Sequence, residues 1–235
     1  MKHSQNLVNP WEYLGDLHNQ GLDYIAQNLL SFEKLPNKPD IFITLSTTFV
    51  SKTNVFGNIP FNDIEVATTY ALNYNILDIY PKEFTENQIF FAKQAETVFD
   101  GYESPFDHIE EINAKIDDQV RIVLLSEMTE KEQVPILCGL AVAKSSLYYW
   151  NQQFVNPRSY WSQINDKQAE KGANLRINWP EIDWKAVGKA DLKGAVKGFI
   201  KGLFLGANVA AGAVGGAIEG SAENLAGQIY DYYFG

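Results

Sequence analysis

The sequence predicts an all-α fold: a helical bundle with a C-terminal glycine-zipper helix or helical hairpin. Three observations carry that expectation. Helix-start chemistry recurs along the chain, and apolar residues in the body step by three and four. In addition, eleven of the seventeen glycines fall in the last 52 residues, seven of them on a strict four-residue spacing. Residues four apart share a helix face, so the rows Gly194, Gly198, Gly202, Gly206 and Gly212, Gly216, Gly220 are stripes of bare backbone.

The elements follow in order. Asn9-Pro10-Trp11-Glu12 combines an N-cap residue, a proline and a capping-box glutamate. Trp11, Leu14, His18, Leu22, Ile25 and Leu29 then line one face of a helix to about Leu30. Ile41–Val50 is rich in β-branched residues, but no second strand exists to pair with it, so it is read as helix. Asn62-Asp63-Ile64-Glu65 starts a second patterned helix, and Thr85-Glu86-Asn87-Gln88 a third that runs to about Phe99. Ser104-Pro105 opens a fourth, with Ile109, Ile112, Ile116, Val120 and Val123 inward. Thr129-Glu130-Lys131-Glu132 caps a fifth to about Gln153, with Pro135 expected to bend its beginning.

Three regions result: residues 1–155 as the bundle body, 156–183 as a polar connector without hydrophobic period, and 184–235 as the Gly/Ala-rich tail. Asp183 or Asp191 is available to cap the tail helix. Seven glycines in helix interiors cost about 6 kcal/mol against alanine, which another helix must offset by approaching very closely. A bend around Ala207–Ala211 would form a hairpin with the two stripes facing each other.

Composition excludes several classes. A net charge of −10 argues against a general nucleic-acid binder. The tail opposes Lys185, Lys189, Lys193, Lys197 and Lys201 to four acids, so the acid excess sits in the body. The single cysteine, Cys138, lies among Ile136, Leu137 and Leu140 and reads as a buried structural thiol. No secretory signal opens the chain, which implies a cytoplasmic origin, with export by another route or membrane association as the further options.

No G-x-S-x-G, H-E-x-x-H, Walker A or G-x-G-x-x-G pattern occurs, and Ser31-Phe32-Glu33-Lys34 fits S-x-x-K without its companion motifs. His3, His18 and His108 are too scattered to predict a metal site. His18, on an apolar stripe, reads as a buried histidine bonded to backbone or to Asn19. Neither catalytic residue nor cofactor nor metal is expected, so the chain reads as a non-enzyme.

The stretches Asn9-Pro10 with Gly15-x-x-His18-Asn19-x-x-Leu22, Leu140-x-x-Ala143-x-Ser145-x-x-Tyr148-Tyr149-Trp150, and Ala190-Asp191-x-x-Gly194-Ala195 together resemble an uncharacterised group of proteins from Bacteroidetes-type bacteria. The resemblance covers most of the chain and implies no particular activity. The tail is similar to the glycine-rich helices of bacteriocins, especially two-peptide types that associate through G-x-x-x-G faces and permeabilise membranes, although no double-glycine leader precedes it.

Two functions follow as expectations. In the first, a membrane-active, bacteriocin- or toxin-like protein inserts its tail, with the five lysines and Trp184 at the lipid surface and the glycine rows assembling helices in lipid. Gly202–Ile218 is the charge-free stretch that would enter. In the second, the tail is a close-packed hairpin docked on the bundle of a soluble interaction protein. The partner is membrane lipid or a second copy of the chain.

Overall fold

The computed structural model describes residues 7–33, 39–56, 63, 65, 84–102, 104–171, 182–204 and 209–234. Every regular element among them is helical. The helices are α1 (Tyr13–Leu29), α2 (Pro39–Lys52), α3 (Glu86–Glu96), α4 (Ile109–Leu124), α5 (Glu130–Val155), α6 (Tyr160–Lys171), α7 (Trp184–Phe204) and α8 (Val209–Phe234). The start signal at residues 62–65 falls almost wholly outside the described residues, as do Trp179, Pro180 and Gly206.

Local chemistry explains most boundaries. Both expected threonine capping boxes form: Thr85 with Gln88 opens α3, and Thr129 with Glu132 opens α5. The box expected at Asn9–Glu12 does not form. Asn9 instead accepts the Trp11 N–H at 3.0 Å and donates its amide to the Leu137 carbonyl at 2.7 Å, so it ties the chain entry to α5. In α2 the hydroxyls of Thr44, Ser46 and Thr48 donate to carbonyls four residues back, which accommodates Ile41–Val50 in a helix despite its strand-like composition. α5 continues through Pro135. Within the expected connector, Tyr160–Lys171 is helical, and its Trp161 and Ile164 are buried.

The tail is an antiparallel hairpin of α7 and α8. Gly194 lies against Gly216, Gly220 against Ala190, and the Asp183 N–H donates to Gln228 Oε1 at 2.7 Å. α7 ends at Phe204 and α8 begins at Val209, so residues 209–211 of the expected bend are already helical. The hairpin is not an appendage. Residues 210–219 of α8 are all buried, and α1, α2, α5, α6 and α7 surround it.

The core has two lobes. The larger joins α1, α2, α6 and α8 with one face of α5 and α7; the smaller joins α3, α4 and the other face of α5. Since α5 is buried on both sides, its apolar residues show no single-face pattern. Cys138 is enclosed within it, and burial pushes its thiol up, away from reactivity.

Candidate functional site

Three helices meet at a polar junction closed to solvent. α1 contributes His18, α5 contributes Ser146 and Trp150, and α7 contributes Asp191; none is more than 2 % exposed. His18 Nε2 lies 3.1 Å from Asp191 Oδ1. The other carboxylate oxygen accepts from Ser146 Oγ and from Trp150 Nε1, the latter at 3.3 Å. His18 Nδ1 faces Asn19 Oδ1 at 3.0 Å, and the Asn19 amide donates to Ser145 Oγ at 2.8 Å. The Ser145 contact orients the Asn19 amide with its oxygen toward the imidazole. Both ring nitrogens therefore face side-chain oxygens.

The residue types are those of a hydrolase triad, but the order is different. In a triad histidine stands between serine and acid, so that it can take the serine proton. Here the carboxylate stands between Ser146 and His18, and the hydroxyl donates to an acid that already holds two other donors. Among the described residues Ser146 is paired with a carboxylate rather than with an imidazole, and its side chain is buried. What the geometry does is hold α1, α5 and α7 together through one carboxylate.

Close backbone approach permits the junction. A Cβ on Gly15 would meet Ser145 Cβ and lie 2.8 Å from the Ala141 carbonyl oxygen, so only glycine lets α1 settle onto α5 at this depth. A Cβ on Gly194 would stand 2.8 Å from the Gly216 carbonyl carbon and 2.9 Å from Ala217 Cα. Those obstacles are backbone, which cannot swing aside as a side chain can.

Beside the junction lies an aromatic wall. Tyr149 donates to Asp23 at 2.9 Å and accepts from Trp161 Nε1 at 3.0 Å. Burial raises the Asp23 carboxyl, with the Tyr149 bond acting the other way, and burial likewise holds the Tyr149 hydroxyl well above its usual value. Trp150 stacks near Trp161 and Trp184 at 5.5 and 5.6 Å between ring centroids.

The residues singled out from sequence distribute as follows. Gly194, Gly198 and Gly202 lie in α7, and Gly212, Gly216 and Gly220 in α8; Gly206 is outside the described residues. Trp184 is buried against Trp150 and Phe106. Lys185 and Lys189 pair with Asp100 at 3.4 and 2.7 Å, and Lys189 foremost holds that carboxyl below its usual range. Lys193, Lys197 and Lys201 belong to α7. Asp183 caps α7 by accepting the Ala186 N–H at 2.9 Å, which leaves Asp191 for the core.

His18 has the Asn19 partner expected of it; Asp191 was the partner the sequence did not reveal. A signal existed. Asp191 stands one turn from Val187 and one from Ala195, both buried, and an acid on an apolar stripe requires a donor. The three stretches that carry the resemblance, around His18, Ser145 and Asp191, converge at this junction. Comparison with protein-family models, with curated proteins and with solved structures returned no match.

Proposed function

We propose that this protein acts by binding rather than by chemistry, and that its glycine-rich tail is a packing hairpin held permanently in the bundle. The observation that carries this reading is the burial of residues 210–219 among five other helices. A tail held for release would be covered on one face; α8 is enclosed along that whole stretch. Among the described residues no helix is long and apolar enough to cross a membrane. The hairpin itself adds an argument from length. The charge-free stretch Gly202–Ile218 straddles the reversal, so the α8 arm from 209 to 218 is about 15 Å long, half of a bilayer's hydrocarbon thickness. To span, the two arms would have to leave the bundle and straighten into one helix.

One observation favours that second, membrane-active reading. Between Lys201 and Asp231 the only carboxylates are Glu219 and Glu223, and burial raises Glu223. Mild acid favours the neutral form of Glu223, which removes one of the two charges from that stretch. Dye release from anionic-lipid vesicles, run from pH 7 to pH 4 with the full chain, separates the two. The docked reading expects no leakage at either pH and a lowered Tm for Gly216→Leu. Leakage that Gly216→Leu abolishes, while the variant keeps its helical content, would overturn it in favour of membrane insertion.

A further inference from the structure

A cleft of about 810 Å³ opens where the start of α1 faces the α4–α5 corner, a size suited to a small organic ligand. Its apolar lining includes Trp11, Tyr13, Met128, Val134 and Leu137. The one charged residue in the lining is Glu130, the first residue of α5. Glu130 is exposed and makes no hydrogen bond or ion pair with other described residues. Trp11 and Tyr13 form a tilted ring pair, centroids 6.2 Å apart, and neither the indole N–H nor the phenol is engaged among the described residues.

The walls are fixed before any ligand arrives. Asn9 fastens the Trp11 side to α5 through the Leu137 carbonyl, and Gln133 fastens the corner by donating to the Met128 carbonyl at 3.2 Å. A preformed cleft loses little ordering entropy on binding. Its lining joins apolar and aromatic side chains with Ser126, Gln133 and one carboxylate, on a chain of net charge −10. Two aromatic rings and a carboxylate lining one cleft favour a cation whose charge is spread over carbon-bearing groups.

We propose that this cleft binds an organic cation of the quaternary-ammonium or aryl-alkylamine class, its apolar body on Met128, Val134 and Leu137 and its charge between Glu130 and the rings of Trp11 and Tyr13. This goes beyond the docked-tail reading and does not depend on it, since no lining residue belongs to α7 or α8. The test is calorimetric titration of the full-length protein with benzyltrimethylammonium, with benzyl alcohol and benzylsulfonate as neutral and anionic comparators. Saturable one-site binding is expected for the cation alone, weakened about tenfold in Glu130→Gln. Tyr13→Leu, at an exposed position, should weaken it several-fold with unchanged Tm. Absence of saturable binding, equal binding of benzyl alcohol, or unchanged affinity in both variants would overturn the proposal.

Discussion

The two faces of α5 are built on different principles. Toward α4 it meets Ile112, Ile116, Val120 and Val123, aliphatic side chains that fill a lobe from an ordinary amphipathic helix. Toward α1 and α7 it meets glycines and a carboxylate: Gly15 against Ser145, and Asp191 against Ser146 and Trp150. On the first face stability scales with buried area and tolerates exchange of similar shapes. On the second it depends on backbone distance and directed bonds, and substitution has nowhere to relax.

That contrast can be broken most sharply at Asp191. Removing the buried carboxylate that His18, Ser146 and Trp150 share leaves its partners unsatisfied, so Asp191→Ala should lower unfolding free energy by about 3 kcal/mol in urea titration. Replacing both ends with apolar residues, His18→Leu with Asp191→Leu, should cost clearly less than the two single changes together. An additive result would mean that the pair is not coupled. Gly194→Val comes next, at about 3 kcal/mol, because the new side chain meets the backbone of Gly216 and Ala217. On the aliphatic face Ile116→Val should cost only about 1 kcal/mol. A larger loss there than at Gly194 would reverse the comparison.

The smallest effect concerns pH. Burial raises Glu223 above the ordinary glutamate value of 4.5. Its contribution is therefore full below that value and is lost as pH rises through the raised one. Glu223→Gln should raise Tm at pH 7 and leave it unchanged near pH 4, in thermal scans at both. Asp100 has the opposite sign: held down by Lys189 and Lys185, it stabilises above 3.8 and loses that contribution as pH falls. Being exposed, it should shift Tm little.

The aliphatic lobe was legible because its information is local. Ile112, Ile116, Val120 and Val123 repeat at helical spacing, and Thr129 with Glu132 marks the next start within four residues. Gly194 and Gly220 were legible as close-packing positions for the same reason. The connector misled because α6 is polar overall, and its few buried residues, Trp161 and Ile164 among them, leave little periodic signal. The lysines of α7 read as a lipid-facing set, yet two of them pair with Asp100, nearly ninety residues earlier in the chain.

By itself the sequence determined that the chain is helical, where most helices start, which positions carry bare backbone, and that His18 sits on a buried stripe beside Asn19. Each rests on residues a few places apart, where spacing alone decides geometry. Only the tertiary structure decided that α8 lies within the bundle, that Gly194 meets Gly216 across a hairpin, and that Asp191 serves the core while Asp183 caps the helix. His18 and Asp191 are 173 residues apart. Spacing along one helix carries no information about which helix will lie across from it; that choice belongs to the packing of all the helices at once.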